Sequence, residues 1–405
     1  MKYAIVIPDG CADEPQPSLG GKTPLQAAHL PNMDRLAVMG EVGSSNNVPQ
    51  PLTPASDVAT LSLFGYDPLE VYTGRAPLEA VAMAIKLGPK DWAIRCNLVN
   101  VTNECMTDFT AGHIGNDEGR ALVETLAKEL GGPLANGTGT LEFHPGVSYR
   151  NLLVYRTGSQ PAPFSGETRS QPPHDVPDKP ITDHLPSGPG SDLLRDLMER
   201  TRPLFARHPV NVKRVAEGKK PATQCWLWGQ GRGPTLRTFK EIYGKQGAIL
   251  SAVDLVRGVG MLLGWKRIDV PGATGYLDTD YAAKGRYGVE ALNDHDLVCV
   301  HVEAPDEASH EGRADAKVKA LEEIDRHVVG PLLEALPKHG SWRLLVSPDH
   351  RTPLRTRAHA YGNVPFVIAG TGVSSLGQTS YDEKTAEESR VIFARGHELM
   401  KHFLG

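Results

Sequence analysis

Carboxylate and imidazole side chains follow three short apolar runs of this sequence, residues 3–7, 297–302 and 344–346. A single Asp-His pair is most often part of a solvated loop, but here the pattern recurs. Carboxylates and imidazoles lying together bind borderline divalent ions such as zinc or manganese. The candidate ligands are Asp9, Asp306, His310, Asp349, His350 and His359.

The three apolar runs, together with a fourth at residues 364–369, predict buried strands of an α/β protein with a mostly parallel sheet. Ligands of such sheets bind just beyond the carboxyl ends of the strands, where the six polar residues lie. Six ligands exceed the need of one tetrahedral ion. Two ions about 3.5–4 Å apart fit better, because such a pair stabilises both the attacking and the leaving oxygen in phosphoryl transfer.

Ser56 is the best candidate for a nucleophile. Ser56 and Asp57 precede an apolar pattern and therefore mark the start of a helix, where either residue could serve only as an N-cap. The functional alternative is that the helix N-terminus and a metal ion stabilise the alkoxide of Ser56 and the phosphoryl group it carries. The sequence has no G-x-S-x-G motif, which argues against an acyl-transfer hydrolase.

Composition narrows the class of protein. The chain has 405 residues and a formal net charge of -5, so no basic face suggests a nucleic-acid partner. Its five cysteines have no CxxC spacing and are interpreted as buried thiols of a reducing cytoplasm. Neither a signal peptide nor an apolar run of about 18 residues is recognisable, so a cytoplasmic protein without membrane contact is expected. The sequence does not indicate the oligomeric state.

The middle third of the chain differs from both ends. Residues 1–89 and 245–405 contain the long α/β units and the candidate metal ligands, whereas residues 90–244 contain shorter strand and helix patterns. This arrangement predicts a metal-binding catalytic domain with an inserted, smaller α/β cap domain. Within the insert, residues 158–190 are rich in Pro, Ser and Gly and predict a long flexible loop. The segment GQGRGP predicts a glycine-rich loop, although it lacks the spacing of a nucleotide-binding motif.

Several long motifs occur here in a fixed order: PDGCADEP, LGGKTPLQAA, LPNMDRLA, PASDVATLSLFGYDP, YTGRAPLEA, AIRCNLV, GATGYLDTDY, HVEAPDEASHEG and PDHRTP. In this series the chain resembles the cofactor-independent phosphoglycerate mutases of the archaeal type, which belong to the alkaline phosphatase superfamily. The resemblance covers nearly the whole chain. It implies a phosphatase-like domain with a cap and two divalent ions, and an enzyme that interconverts 3-phosphoglycerate and 2-phosphoglycerate without bisphosphoglycerate.

The resemblance also implies roles for individual residues. One ion would be held by Asp9, Ser56, Asp349 and His350, and the other by Asp306, His310 and His359. Ser56 would be the nucleophile, which takes the phosphoryl group from 3-phosphoglycerate and returns it to the 2-hydroxyl. The mixed shell of Asp and His suits manganese or zinc, with cobalt as a further possibility, better than magnesium.

Cationic side chains are the candidates for binding the acidic substrate, because guanidinium groups bind carboxylates and phosphates bidentately. The candidates are Arg75, Arg95, Arg150, Arg232 and Lys284, together with His113.

His113 departs from the resemblance, since the archaeal mutases have an arginine at that position. The residue is either an acid-base group for the glycerate hydroxyls or a sign of a different substrate. A related bacterial group with a SAGH-like pattern has been proposed to act as a homoserine kinase. Phosphate transfer to another small alcohol, hydrolysis, and a catalytically silent metal or metabolite binder therefore remain as alternatives.

Overall fold

The computed structural model describes residues 1–135, 137–233 and 235–405. In this part of the chain the strands are β1 (Lys2–Pro8), β2 (Glu41–Ser45), β3 (Trp92–Thr102), β4 (Cys105–Asp108), β5 (Gly132–Pro133), β6 (Gly139–Val147), β7 (Arg150–Thr157), β8 (Gln224–Arg232), β9 (Gly247–Leu250), β10 (Lys266–Arg267), β11 (Leu297–Val302), β12 (Trp342–Val346), β13 (Val364–Gly370) and β14 (Ile392–Phe393).

The α-helices of the same residues are α1 (Pro24–Ala27), α2 (Pro31–Met39), α3 (Ser56–Leu63), α4 (Pro68–Val71), α5 (Arg75–Ala82), α6 (Asn116–Leu130), α7 (Ser191–Ala206), α8 (Pro209–Ala216), α9 (Phe239–Tyr243), α10 (Asp254–Leu262), α11 (Tyr281–Ala291), α12 (Ala304–His310), α13 (Ala314–Ile324), α14 (Gly330–Ala335), α15 (Glu383–Ser389) and α16 (Glu398–Leu404). A π-helical turn, Asp325–Val329, joins α13 to α14. No described helix is both long and apolar enough to cross a bilayer.

The chain forms two compact units. The first comprises Met1–Tyr72 and Leu236–Gly405, and the second is the continuous segment Thr73–Thr235. The boundaries predicted from the sequence lie at residues 89/90 and 244/245. That the first unit is the catalytic domain and the second a substrate-binding cap stays a prediction.

The first unit is built on an eight-stranded sheet in the order β10-β9-β11-β1-β12-β13-β2-β14. The strands β10, β9, β11, β1 and β12 run parallel to one another, and β13 runs antiparallel to both β12 and β2. This arrangement confirms the predicted α/β class with a mostly parallel sheet. The carboxyl ends of β1, β11 and β12, which are adjacent, lie at one edge.

Helices cover both faces of this sheet because side chains alternate along its strands. From β1, Ala4 and Val6 join a core with α2, α11, α13 and α14. Tyr3 points to the other face, where its ring meets that of Phe403 in α16 at 5.5 Å. Burial of both faces explains why β1 and β11 read as continuous apolar runs in the sequence.

The second unit contains an antiparallel sheet in the order β4-β3-β7-β6-β5, with β8 also paired to β3. Leu122 and Leu126 of α6 and Leu194 and Leu197 of α7 belong to the core on one side of this sheet. Ala76 and Ala80 of α5 pack with Ala93 and Leu152 in a smaller cluster.

Two sequence predictions for the second unit are wrong in detail. The residues Gly229–Arg232 of the predicted glycine-rich loop belong to β8, because that strand continues its pairing with β3 as far as Arg232. Residues 158–190 are irregular, but they are packed rather than free: Val176 and Ile181 are buried, and the carbonyl of Gln171 accepts a hydrogen bond from Trp226 Nε1 at 2.8 Å.

Candidate active site

Four of the predicted ligands come together at the carboxyl edge of the sheet in the first unit. Asp9 directly follows β1, Asp306 lies in α12 after β11, and Asp349 and His350 follow β12. Each is at most 2% exposed. Parallel pairing of β1 with both β11 and β12 brings these distant residues to one edge.

A first group of ligand atoms surrounds the Nε2 atom of His350. This atom lies 3.5 Å from Asp9 Oδ1, 3.5 Å from Asp349 Oδ2 and 3.2 Å from Ser56 Oγ. Among the described residues, Asp9 Oδ1 and Asp349 Oδ2 are buried without a hydrogen-bond partner. Buried carboxylate oxygens normally have partners. A divalent cation would satisfy both oxygens, so these residues fit a metal site.

A second group is centred on Asp306 Oδ2. His310 Nε2 lies 2.9 Å and His359 Nε2 3.5 Å from this oxygen, and the two imidazole nitrogens are 3.2 Å apart. His350 also belongs to this group, since its ligand atom lies within 4.8 Å of those of Asp306 and His359. The structure therefore brings all six predicted ligands together in two adjoining groups.

The electrostatic balance differs between the two groups. Burial, and then the neighbouring Asp349, raises the pKa of Asp9 well above its usual value. Burial also raises the pKa of Asp306, but hydrogen bonds from His310 and His359 outweigh burial, so this pKa lies well below the usual value. Burial lowers the pKa of His350, which keeps its imidazole neutral, the form that binds metals.

Ser56 is the first residue of α3 and is 8% exposed. The N-cap is Ala55, so the Ser56 hydroxyl is not used for capping. Asp57 has local partners instead: its carboxylate accepts hydrogen bonds from Val58 N at 2.9 Å and from the Tyr72 hydroxyl at 2.8 Å. Of the two residues at this helix start, only Ser56 lies in the metal-ligand group.

Sequence reasoning missed the residues behind the ligands. His301 Nε2 lies 2.7 Å from Asp9 Oδ2, and His301 Nδ1 lies 3.0 Å from Ser251 Oγ. His301 is fully buried in β11, and burial lowers its pKa to about 3. In the sequence it appears as one polar residue inside an apolar strand, and only the strand pairing shows that it faces Asp9.

Further support comes from residues on the neighbouring loops. Thr352 Oγ1 donates to Asp306 Oδ1 at 2.5 Å and lies 3.2 Å from His350 Nδ1. Asn47 Nδ2 donates to the carbonyl of Asp349 at 2.9 Å. These contacts hold the ligand-bearing loops in place.

Lys284, a candidate for substrate binding, lies behind the ligands. Its side chain is 1% exposed, and its ammonium donates to the carbonyl of His301 at 3.2 Å. Burial lowers the pKa of Lys284 to about 8, while the nearby Glu303 acts in the opposite direction. The position is that of a residue supporting β11 and its following loop.

The other cationic candidates belong to the second unit. The Arg95 guanidinium is buried, lies 4.1 Å from the centre of the Trp228 ring and pairs with Glu79 at 2.8 Å. Arg75 pairs with the same Glu79 at 3.3 Å. In the pairing of β3 with β8, Arg232 lies opposite Trp92, whereas Trp228 lies opposite Arg95. Arg232 is therefore four residues away from Trp228 along β8 and lies apart from this group.

His174 is a further residue of this region that sequence reasoning missed. Its ring lies 5.4 Å from that of Trp228. Burial lowers the pKa of His174, the charge of Asp175 acts in the opposite direction, and the charges of Arg95, Arg75 and Arg150 lower the pKa further. The structure thus gathers three candidate arginines around His174 in one electropositive region, a setting suited to an anion.

The chain matches known proteins along its whole length. A family model described as 2,3-bisphosphoglycerate-independent phosphoglycerate mutase matches residues 37–211. An enzyme of that name from Methanothrix thermoacetophila is 48% identical over 402 residues, which cover 99% of each chain. A probable enzyme of the same name from Geobacter sulfurreducens is 46% identical, with both chains fully covered.

Two solved structures are similar in fold along the whole chain. A Pyrococcus horikoshii protein superposes with a TM-score of 0.81 at 28% identity, covering 100% of this chain and 97% of the other. The cofactor-independent phosphoglycerate mutase of Thermoplasma acidophilum superposes with a TM-score of 0.68 at 25% identity, with both chains fully covered.

Proposed function

Because the chain belongs to the family of 2,3-bisphosphoglycerate-independent phosphoglycerate mutases, which are isomerases, we propose that it interconverts 3-phosphoglycerate and 2-phosphoglycerate through a phosphoserine formed on Ser56. The observation that carries this proposal is the position of Ser56 Oγ, 3.2 Å from His350 Nε2, beside two buried carboxylate oxygens that have no hydrogen-bond partner in the described part of the chain. A hydroxyl among unsatisfied metal ligands is suited to act as a nucleophile. We also place the enzyme in the cytoplasm, since its five cysteines are free thiols.

In the first step the Ser56 oxygen bonds to the phosphorus of 3-phosphoglycerate as its proton leaves, and the bond from phosphorus to the 3-oxygen breaks. The 3-oxygen of glycerate takes up a proton. After the glycerate reorients, its 2-oxygen bonds to the phosphorus and loses its proton, and the bond to Ser56 breaks. Ser56 regains a proton, so no phosphate is released and no second phosphorylated compound is consumed.

Asp9, Ser56, Asp349 and His350 would hold one divalent cation, and Asp306, His310 and His359 a second. When bound, such cations neutralise charge on the phosphoryl oxygens and make the serine hydroxyl easier to deprotonate. The imidazoles in both groups favour manganese or zinc over magnesium, with cobalt also suited.

The electropositive region of the second unit supports binding of an acidic substrate. We assign binding of the glycerate carboxylate or the phosphate to Arg75, Arg95 and Arg150, with His113 as a group for the glycerate hydroxyls. Arg95 is pre-organised for this task, because Glu79 and Trp228 already hold its guanidinium in one orientation.

Phosphorus NMR tests the reaction directly. We expect the purified protein, given 3-phosphoglycerate and manganese without bisphosphoglycerate, to form 2-phosphoglycerate without a signal from free phosphate. Free phosphate would indicate a phosphatase. If neither product forms, phosphate transfer to another small alcohol such as homoserine becomes the better assignment.

The nucleophile is tested by substitution. Ser56→Ala should lower kcat by at least about 10³-fold, because the covalent route is lost. Ser62→Ala is the matched control, since Ser62 lies in the same helix and is also buried. A Ser56→Ala enzyme with full activity would exclude the phosphoserine.

A further inference from the structure

A strained turn in the second unit carries His113. Three consecutive residues have positive φ angles: Ala111 at 51°, Gly112 at 66° and His113 at 49°. Only the middle residue is a glycine, for which this region is unstrained. For other residues the left-handed conformation is strained and persists only where the surroundings impose it.

The amide groups of the turn are bound from one side by Asp108 and Thr110. The Asp108 carboxylate accepts from Thr110 N at 2.8 Å and from Thr110 Oγ1 at 2.6 Å. Thr110 Oγ1 in turn accepts from His113 N at 2.9 Å. The carbonyl of Thr110 accepts from Ile114 N at 3.2 Å.

Arg214 of α8 binds the carbonyl groups of the same turn. One terminal nitrogen of its guanidinium donates to the carbonyls of Ala111 at 2.8 Å and Gly112 at 3.2 Å. The other terminal nitrogen donates to Glu118 at 2.5 Å, and Nε donates to the carbonyl of Lys220 at 2.9 Å. The residue is 2% exposed, so its charge is committed to this turn and to Glu118.

The imidazole of His113 is left exposed at the end of the turn. Within the three described ranges of the chain, no hydrogen bond involves its ring. Phe109, at the start of the turn, packs against the rings of Tyr149 and His174 at 6.4 and 6.1 Å. Arg150 lies over the Tyr149 ring at 4.7 Å, so the turn adjoins the electropositive region.

We propose that Arg214 is a positioning residue for the mutase reaction: it binds the carbonyls of Ala111 and Gly112 and so holds the left-handed turn that presents the His113 imidazole to a glycerate hydroxyl. The inference rests on the proposed function and on the assignment of His113 to substrate. A guanidinium suits this task because it donates in several fixed directions at once, which a lysine ammonium does not reproduce.

A double-mutant cycle tests the proposal. Arg214→Lys keeps the positive charge but loses the planar guanidinium group and its several hydrogen-bond donors. We expect kcat to fall about 10- to 100-fold, since misplacement of a reacting group by about 1 Å has effects of this size. KM should change much less. In a His113→Ala background the same substitution should have almost no effect on kcat, because Arg214 acts through His113.

Arg202→Lys is the control, since Arg202 of α7 is also a hydrogen-bonded arginine of the second unit, paired with Glu104 at 2.7 Å, and should leave kcat unchanged. If Arg214→Lys lowers folding yield, Asp108→Asn tests the turn from its other side and should show the same dependence on His113. If Arg214→Lys lowers kcat equally in the wild-type and His113→Ala backgrounds, Arg214 has only a structural role and the inference is wrong. Full activity of His113→Ala would also overturn it, whereas the phosphorus NMR assay of the unaltered protein decides the mutase reaction separately.

Discussion

At the scale of single residues, His301 contacts Asp9, one of the candidate metal ligands. Its ring is fully buried between Asp9 and Ser251, with contacts of 2.7 and 3.0 Å. With its low pKa the imidazole is neutral, so it donates one proton and accepts one. Donation from Nε2 to Asp9 Oδ2 leaves Asp9 Oδ1, which has no hydrogen-bond partner among the described residues, 3.5 Å from His350 Nε2.

We expect His301→Ala to weaken metal binding about 10- to 100-fold, as is usual when the hydrogen-bond partner of a metal ligand is removed. The substitution removes the hydrogen bond that orients the Asp9 carboxylate but leaves Asp9 itself unchanged. Titration of metal-free protein with manganese, followed by calorimetry, measures the change. His295→Ala is a suitable control, because His295 lies outside the ligand groups and its ring is hydrogen-bonded to the carbonyl of Ala291. Unchanged affinity in His301→Ala would show that Asp9 needs no such partner.

At the scale of elements, close packing decides where the ligand-bearing strands lie. Helix α11 packs on the π-helical turn at Gly285, where an added Cβ atom would lie 1.8 Å from the carbonyl oxygen of His327. The same turn contains Asp325, whose carboxylate accepts from Met33 N at 2.7 Å and so joins this layer to α2. The helix layer beneath β11 and β1 therefore depends on a glycine.

Gly285→Ala should destabilise the protein by about 1–3 kcal/mol, the usual cost of overpacking. In an uncrowded helix the same change would stabilise by about 1 kcal/mol, so the sign of the effect is informative. Urea unfolding measures it. Gly330→Ala provides the comparison, because its new methyl group would lie 3.1 Å from the side-chain amide of Asn32 and not against a backbone carbonyl, so it should cost less. A stabilised Gly285→Ala protein would contradict the packing argument.

Helix α16 is joined to β2 by a titratable contact. His402 Nε2 is hydrogen-bonded to Glu41, and this bond raises the pKa of His402, with burial acting in the opposite direction. A raised pKa means that the folded protein holds the proton more tightly than the unfolded chain does. The contribution of this contact to the stability of the folded protein is therefore complete below about pH 6.5, the pKa of histidine in the unfolded chain. This contribution is lost as the pH rises through the pKa of His402 in the folded protein.

Comparison of wild type with His402→Gln should show this pH dependence. The difference in Tm should be largest near pH ~5.5 and shrink steadily toward pH ~9, since the histidine charge disappears over this range. His402 is about half exposed, so the difference will be small and will fall with added salt. A difference that grows with pH would contradict the assignment of Glu41 as the stabilising partner.

At the scale of the whole molecule, metal binding and folding are coupled. Asp9, Asp306 and Asp349 lie buried close together at one sheet edge, and their mutual repulsion opposes folding of the metal-free protein. A cation bound only by the folded protein stabilises it by about 2.7 kcal/mol at a concentration 100 times its dissociation constant. The metal is therefore expected to contribute both to catalysis and to stability.

Removal of metal by a chelator should abolish mutase activity and lower Tm by several degrees, about 1 °C for each kcal/mol in a chain of 405 residues. Added manganese should restore both. Calcium offers a control, because it prefers oxygen ligands and a larger shell than these imidazole-containing groups provide. Full activity of the chelated protein would show that the metal assignment is wrong.

The candidate ligands could be predicted because each follows a strand that is recognisable from its own residues. The strands of Asp9, Asp306 and Asp349 are apolar runs with turn residues beyond them, and polar groups at that position tend to converge in parallel sheets. Ser56 was recognisable for a similar reason, as a hydroxyl at a helix start. These features depend on a few neighbouring residues and on general rules of sheet topology.

Other features depend on residues far apart in the chain, so only the tertiary structure decided them. The contact of His301 with Asp9 requires the pairing of β11 with β1, and the burial of Lys284 requires packing of α11 on β11. In the second unit, Arg214 reaches the turn of His113 across about a hundred residues of sequence. By itself, the sequence determined the α/β class and singled out six candidate metal ligands and Ser56 as the candidate nucleophile, because local pattern specifies strands, helix starts and their flanking polar groups. The structure decided which histidine supports which carboxylate and which arginine holds which turn, because such contacts are set by the packing of whole elements against one another.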